Sequence, residues 1–350
     1  MKLKTSKLDL NLKHTFRISR ESSDVRNNVL VEIKHQGLTG FGEAAPSPHY
    51  NESADSVIDT LSRFSLEGYD DVFLLEDILN HAIETLSPNW SAISALDMAL
   101  HDLVGKKLGV PLYQLWGLNP AKTPQTSFTI GIADKPEIQE KTREADKYPI
   151  LKVKLGTDND EAIIAAIREI TGKPIRVDAN AAWKDPAEAR LKIEWLAGRG
   201  IEFVEQPMPE RSEAMNRLKQ ESPLPLFSDE DSRRPEDVPR LADSFHGINI
   251  KLTKCGGLRE ALKMIHIARS LKMQVMLGCM IESSLGITAA AHLLSLVDFA
   301  DLDGHLLIQD DPFAGVSYDD GYLRIPDLPG IGVTRNPQKP QNDRTPISPN

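Results

Sequence analysis

The sequence has only two cysteines and no long apolar run, and both shortages exclude classes of protein. Cys255 and Cys279 cannot form a disulfide framework, and each lies in a predicted core segment, so a Cys-ligated zinc site has no support. No segment approaches the roughly 18 apolar residues of a membrane span. The N-terminus alternates Leu8, Leu10 and Leu12 with polar residues, unlike a signal peptide. We therefore expect a reduced, cytoplasmic protein with no membrane segment.

Clusters of basic residues are also lacking. The 350-residue chain carries a formal net charge of −10, and no block of Lys and Arg offers a face for phosphates. Nucleic acid is therefore not an expected partner, and a small substrate is. With 40% hydrophobic and 26% charged residues the composition is that of a globular protein, and it leaves open whether the chain forms a homo-oligomer.

The first 118 residues predict an α+β unit. Two period-2 segments, VRNNVLVEIKH and LTGFGEAA, flank His35-Gln36-Gly37 and indicate antiparallel strands joined by a tight turn. A Pro- and Ser-rich loop follows at 46–53, where Asn51 or Ser53 could cap the next helix. Apolar residues at helical spacing predict a further helix from Ser91 to Gly105.

From residue 119 the pattern changes to alternating strands and helices. Helices are indicated between most of the strands, for example at Asp160–Thr171 and Leu258–Leu271. This alternation favours a parallel βα barrel, with a doubly wound sheet as the alternative. The eight predicted strands are TSFTIG, ILKVKLG, IRVDAN, IEFVEQP, PLFSDE, GINIKL, QVMLGCM and VDFADLD. The Pro/Asn-rich residues 336–350 are expected to form a mobile tail.

Charged residues stand at the ends of successive strands, 24 to 27 residues apart. That distance is one strand, one helix and two short loops, so these residues should converge at one mouth of the barrel. Three carboxylates and two ammonium groups would then meet in space. The five residues are Lys154, Asp178, Glu205, Asp229 and Lys254.

The three carboxylates, Asp178, Glu205 and Asp229, are candidate metal ligands. An all-oxygen set suits a hard divalent cation, most of all Mg²⁺, whereas zinc would prefer His or Cys. Acidic residues at strand ends can also serve the N-terminus of the following helix, and that is the alternative for each residue alone. Three in successive strands favour the metal site.

The lysines are candidate acid and base groups. Lys152 and Lys154 alternate with Val153, so both should face the barrel interior, where an ammonium group is costly unless it has a function. Solvated surface lysines are the alternative, but the outer face of a barrel strand meets helices. Lys254 follows Lys251, and a lysine beside another cation loses its proton more readily. Such a lysine can act as a base near neutral pH.

At these positions the chain resembles the enolase superfamily, and within it the muconate-lactonising-enzyme subgroup. The resemblance implies a (β/α)7β modified TIM barrel, residues 119–314, and an α+β capping domain, residues 1–118, completed by a C-terminal segment at about 315–335. It also implies one Mg²⁺ per subunit and a Lys base that generates an ene-diolate. The matching motifs are Lys152-Val153-Lys154, Asp178-Ala179-Asn180, Glu205-Gln206-Pro207, Asp229-Glu230 and the KLTKCGG that starts at Lys251.

Asp301-Leu302-Asp303, after the last strand, looks like the motif with which dipeptide epimerases hold a substrate's free α-ammonium group. Alternation places both aspartates on one face, although a solvated turn is the alternative. The resemblance further places Lys152, Cys279 and Met280 at the substrate. An arginine of the first capping loop, Arg17, Arg20 or Arg26, would meet the substrate side chain, and we select Arg20.

The sequence thus predicts a Mg²⁺-dependent dipeptide epimerase that inverts the C-terminal residue of L-Ala-D/L-Glu or of an apolar Ala-Xaa dipeptide. Lys154 and Lys254 would serve opposite faces of the α-carbon. The enzymatic alternatives are o-succinylbenzoate synthase, muconate cycloisomerase and N-acylamino-acid racemase. A Mg²⁺-binding scaffold protein is the alternative without catalysis.

Overall fold

The computed structural model describes residues 1–19 and 21–336. Arg20 and, apart from Asn336, the predicted tail at 336–350 lie outside the described residues.

An antiparallel sheet of three strands opens the chain. Leu8, Leu10 and Leu12 are buried on one face of its first strand, as their alternation requires. Gln36 and Gly37 form the predicted turn with φ values of 48° and 80°, a conformation that glycine adopts without strain. The predicted antiparallel pairing is confirmed. The strands are β1 (Lys2–Ile18), β2 (Glu21–His35) and β3 (Leu38–Ala44).

Helices cover this sheet and complete the capping domain. Ser53 caps the first one through reciprocal hydrogen bonds with Ser56. The long helix α3 continues past its predicted end at Gly105 to Leu108. Gly105 is a packing position, because a Cβ there would lie 2.6 Å from Gly330 Cα, and the left-handed cap is Gly109. The helices are α1 (Ala54–Ser62), α2 (Leu75–Leu86), α3 (Trp90–Leu108) and α4 (Leu112–Leu115).

Eight parallel strands form the barrel, each paired with the next along the chain. The Ser127 N–H donates to the Ala300 carbonyl over 3.1 Å, beside a parallel bridge between Thr126 and Ala300, and brings the first strand to the last. This confirms the barrel and excludes the doubly wound sheet. The strands are β4 (Phe128–Ile130), β5 (Leu151–Lys154), β6 (Ile175–Asp178), β7 (Ile201–Glu205), β8 (Leu226–Ser228), β9 (Gly247–Lys251), β10 (Gln274–Gly278) and β11 (Phe299–Asp301).

Helices between the strands form the outer layer. The helix predicted to end at Thr171 ends at Arg168 instead, since the extended Lys173-Pro174 that follows disfavours helix. The helices are α5 (Lys135–Glu144), α6 (Asp160–Arg168), α7 (Pro186–Ala197), α8 (Met215–Glu221), α9 (Val238–Leu241), α10 (Leu252–Cys255), α11 (Leu258–Ser270) and α12 (Ser284–Ala291).

After the barrel the chain returns to the capping domain. Ile308 bridges to Leu12, and the Gln309 N–H donates to the Asn11 carbonyl over 2.8 Å. The contact with the capping sheet thus starts a few residues before the predicted segment at 315–335; the domain division itself stays a prediction. The C-terminal strands are β12 (Phe313–Ala314), β13 (Ser317–Asp319), β14 (Tyr322–Arg324) and β15 (Thr334–Arg335).

The expectations about the cysteines and about membrane-spanning segments can be compared with the structure. Cys255 and Cys279 are both free thiols. Among residues 1–19 and 21–336, every helix is too short or too polar to traverse a bilayer.

His292 joins three parts of the fold. The Tyr113 N–H donates to Nδ1 over 3.1 Å, so Nε2 carries the proton and donates to the Ile331 carbonyl over 3.0 Å. Burial lowers the pKa of His292 to about 4, because the imidazolium form would lose its hydration.

This depressed pKa predicts a loss of stability in acid. His292 binds a proton near pH 6.5 in the unfolded chain and only near pH 4 in the folded chain, so its own contribution to the free energy of unfolding should fall between these values by up to about 3 kcal/mol. Urea unfolding at pH 7, 5.5 and 4.5 measures it. His292→Gln should remove this contribution from the pH dependence, and His14→Gln, on the exposed β1, should leave the pH dependence unchanged. An equal pH dependence in both variants would refute this role.

Candidate active site

The carboxyl ends of the barrel strands bring the predicted residues together. Lys154, Asp178 and Glu205 are direct register partners across β5, β6 and β7. Asp229 follows β8 and Lys251 ends β9, so the ring continues without a gap. This convergence follows from parallel strands of similar length that end at one edge.

Asp178, Glu205 and Asp229 form a carboxylate triad. One oxygen from each lies within 4.8 Å of the others, and the residues are 0 to 2% exposed. Burial and the negative charge of Asp178 raise the pKa of Glu205 to about 7, which means that the surrounding cations do not fully neutralise the triad. Three buried oxygen donors with excess negative charge fit a hard divalent cation such as Mg²⁺.

Lys152 links the triad to a second pair of carboxylates. Its Nζ lies 2.7 Å from Glu205 Oε2 and 3.3 Å from Asp178 Oδ2, and it donates to Asp301 Oδ2 over 2.6 Å. Burial alone would lower the pKa of Lys152, but these charges outweigh burial and raise it well above its usual range. Lys152 is therefore a permanent ammonium group.

Lys154 and Lys254 contact different members of the triad. Lys154 Nζ donates to Asp178 Oδ2 over 2.6 Å. Lys254 Nζ donates to a carboxylate oxygen of Asp229 and, over 2.6 Å, to the Asp229 carbonyl. Burial and the nearby charge of Lys251 lower the pKa of Lys254 against the opposing pull of Asp229. The triad thus links the two predicted acid-base residues.

Asp301 and Asp303 form the predicted pair. Asp301 accepts from Lys152 and, over 2.7 Å, from Ser127 Oγ, and Asp303 accepts from the Thr129 N–H over 2.6 Å. Burial and the charge of Asp301 raise the pKa of Asp303 to about 6. The pKa of Asp301 is lowered because Lys152 outweighs its burial. Within the described part of the chain Asp303 has no such partner of its own, and an added cation would stabilise its carboxylate.

A central cavity lies between these groups and the capping domain, with about 100 Å³ for the centres of water-sized molecules. Lys154 and Asp303 border it from the barrel, whereas Lys254 borders an adjoining cavity of about 670 Å³ on the side of α1. The central cavity's further walls include Asp229, Cys279 and Met280 from the barrel, and Ile18, Glu21, Arg26, Asn28, Ser47 and Tyr50 from the capping domain.

The three candidate arginines have different positions. Arg26 borders the central cavity, where its guanidinium lies 2.6 Å from Glu21 Oε1. Arg17 is absent from the described residues that line this cavity, and its carbonyl accepts from Ile132. Arg20, our selection from the sequence, lies outside the described part of the chain and stays a prediction.

Several supporting residues were missed in the sequence. Asn249 donates from Nδ2 to Glu205 Oε1 over 2.7 Å, and Ser127 and Thr129 hold the aspartate pair. Asn249 stands two positions before Lys251 on one strand, so alternation could have placed it inside the barrel. Asn28 lies in a capping strand, and its sequence context gives no sign of a site.

The chain resembles known proteins along nearly its whole length. Residues 2–117 match the family described as mandelate racemase / muconate lactonizing enzyme, N-terminal domain, and residues 137–339 match the enolase C-terminal domain-like family. The chain is 48% identical over 338 residues to the L-Ala-D/L-Glu epimerase of Bacteroides thetaiotaomicron, covering 96% of this chain and 88% of that protein.

Two further proteins, both epimerases, are also similar to nearly the whole chain. The L-Ala-D/L-amino acid epimerase of a Maribacter species is 42% identical over 338 residues, covering 96% of this chain and all of that protein. The crystal structure of the dipeptide epimerase from Cytophaga hutchinsonii, complexed with Mg and D-Ala-L-Val, has a TM-score of 0.90 at 28% identity and covers 96% of both chains. The similarity therefore spans the capping domain and the barrel together.

The contacts of Lys152 predict a large loss of stability when its charge is removed. Lys152→Met should lower the free energy of unfolding by about 3 to 5 kcal/mol without metal, because three buried carboxylates lose their shared partner. The loss should shrink at pH 5, where protonation relieves the repulsion. Lys135→Met, at an exposed ion pair with Glu169, should cost less than about 1 kcal/mol. Equal losses in chelator-treated urea titrations would contradict this.

Proposed function

Since this chain belongs to the mandelate racemase / muconate lactonizing enzyme family, we propose that it is a Mg²⁺-dependent dipeptide epimerase that inverts the α-carbon of the C-terminal residue. One observation supports this most: a single cavity is bordered by Asp229 of the carboxylate triad and by the buried pair Asp301 and Asp303, of which Asp303 has a raised pKa. A dipeptide carries a carboxylate at one end and an ammonium group at the other, and so matches both.

Asp178, Glu205 and Asp229 would hold one Mg²⁺ per chain at the substrate's carboxylate end. When bound, the ion would supply positive charge for the carboxylate as the α-proton leaves. Lys152, already bound to three carboxylates, keeps Glu205 and Asp178 in place beside Asp301.

Lys154 and Lys254 would carry the proton transfer. One lysine, as the free amine, takes the α-proton on one face of the carbon, and the other, as ammonium, gives a proton on the opposite face; reversal exchanges the roles. Lys254 must turn from Asp229 towards the central cavity to do so. In the structure its hydrogen bonds to the Asp229 carboxylate and carbonyl hold it away from that cavity.

The aspartate pair separates this proposal from its alternatives. Asp301 and Asp303 would bind the free ammonium group, which the substrates of o-succinylbenzoate synthase, muconate cycloisomerase and N-acylamino-acid racemase lack. A Mg²⁺-binding scaffold would not need lysines on two members of the triad.

Two classes of side chain fit the second residue of the substrate. Arg26 offers a cation for an acidic side chain such as Glu, but Glu21 already neutralises it, whereas Cys279 and Met280 offer an apolar wall. The proposed substrates therefore remain L-Ala-D/L-Glu and apolar Ala-Xaa dipeptides. A cytoplasmic location and a homo-oligomer remain predictions.

A dipeptide library in D₂O with Mg²⁺ tests the activity. We expect a one-dalton mass increase and epimerisation for L-Ala-L-Xaa members, with no exchange in excess chelator. Lys154→Ala and Lys254→Ala should each abolish epimerisation, because each variant lacks the lysine on one face of the α-carbon. In each variant the remaining lysine can still exchange the α-proton of one epimer. Lys135→Ala, on the exposed outer surface, is the matched control.

Full epimerisation by both single lysine variants would disprove the two-base mechanism. No exchange with any L-Ala or D-Ala dipeptide would disprove the dipeptide hypothesis. If the substrates of the three alternative enzymes also showed no exchange, the result would favour the Mg²⁺-binding scaffold protein.

The double change Asp301→Asn with Asp303→Asn should separate the enzymatic alternatives. It removes two negative charges from the ammonium site, so kcat/KM for dipeptides should fall at least about a hundredfold, since each charged hydrogen bond contributes about 1.5 to 3 kcal/mol. Turnover of an N-succinyl amino acid, which has no ammonium group, serves as the comparison. Equal losses on both substrates would indicate a structural role only, and an unchanged dipeptide rate would remove the pair from the site.

A further inference from the structure

Asn28 reaches from the capping sheet into the catalytic cavity. It lies on β2, is 3% exposed, and borders the central cavity beside the segment that joins β10 to α12. Its side chain is therefore placed by two domains at once.

The amide of Asn28 has a fixed orientation. Nδ2 donates to Glu43 Oε1 over 2.7 Å and to the Ile281 carbonyl over 3.1 Å, which uses both of its hydrogens. A backbone carbonyl can only accept, so the nitrogen must face Ile281 whatever the protonation of Glu43. The amide cannot flip without losing this bond.

Glu43 is itself held by the start of α12. It is fully buried and accepts the Ser283 N–H over 3.0 Å and the Gly286 N–H over 3.2 Å. The helix N-terminus, the carboxylate and the amide thus form one chain of hydrogen bonds across the domain interface. Movement of Asn28 would break its bonds to Glu43 and to the Ile281 carbonyl.

This arrangement leaves one acceptor for a ligand. Within residues 1–19 and 21–336, no group donates a hydrogen bond to Asn28 Oδ1, and that oxygen is not among the fully buried unpaired atoms. Because both hydrogens of Nδ2 are taken on the side of Ile281 and Glu43, the oxygen is available at the cavity wall.

We propose that Asn28 Oδ1 accepts the peptide N–H of the bound dipeptide. The inference rests on the proposed function. In the barrel, β10 lies between β9, which carries Lys251 near the metal site, and β11, which carries Asp301. The end of β10 and its partner Asn28 therefore border the middle of a substrate that spans both ends, and the peptide bond is the middle of a dipeptide.

A thermodynamic cycle that combines one mutation with one change of substrate tests this contact. The substrates are an L-Ala-L-Xaa dipeptide that the protein turns over and its ester analogue, in which oxygen replaces the peptide N–H. For each protein the kcat/KM for exchange in D₂O is measured with the amide and with the ester, and their ratio is taken. The intrinsic difference in reactivity between amide and ester cancels when the ratios of two proteins are compared. The wild-type ratio should exceed the ratio of Asn28→Ala by about tenfold, because loss of the acceptor leaves the buried peptide N–H without a partner.

Asn27→Ala is the matched control, since Asn27 faces solvent and binds Asp9 instead; its ratio should equal that of the wild type. If Asn28→Ala does not fold by circular dichroism, Asn28→Ser gives the same comparison. Equal ratios in wild type and the Asn28 variants, with turnover of the amide intact, would overturn this contact alone. Absence of exchange in the wild type with every dipeptide would overturn the proposed function and this contact with it.

Discussion

The ammonium group of Lys152 is the interaction on which the site depends. It contacts Glu205 and Asp178 of the carboxylate triad and Asp301 of the aspartate pair, so one buried charge connects both ends of the cavity. Burial and neighbouring carboxylates raise the pKa of Glu205 to about 7 and that of Asp303 to about 6, so the lysines do not fully neutralise the carboxylates around that point. Such a cluster is stable only because its members are paired, and its remaining negative charge suits a bound cation.

The fold explains how these charges come together. A parallel barrel places the ends of eight strands at one mouth, and adjacent strands set residues such as Lys154 and Asp178 in direct register. The capping domain then supplies the wall that the barrel lacks. Tyr50, which follows β3, and Arg26, which lies on β2, both border the cavity. Neither part of the chain alone encloses the cavity.

Much of this was predictable from the sequence. The period of strand and helix located the barrel, the strand-end spacing located Asp178, Glu205 and Asp229, and the predicted superfamily is confirmed by the family matches. Contacts between distant segments were not predictable. Gly105 resembles a helix end in the sequence, because its packing partner, Gly330, lies 225 positions away along the chain. The position of Asn28 at the cavity depends on its contact with Ile281, which is similarly distant in sequence. Likewise, no local pattern reveals that Lys254 turns towards Asp229.

The central claim is that one cavity holds a dipeptide by both charged ends between two lysines. A crystal structure with Mg²⁺ and a bound dipeptide tests it most directly. The account predicts a single ion on the triad, the substrate ammonium group at Asp301 and Asp303, and the Nζ atoms of Lys154 and Lys254 on opposite faces of the α-carbon. Both lysines on one face, or an ammonium group bound away from the aspartate pair, would contradict it.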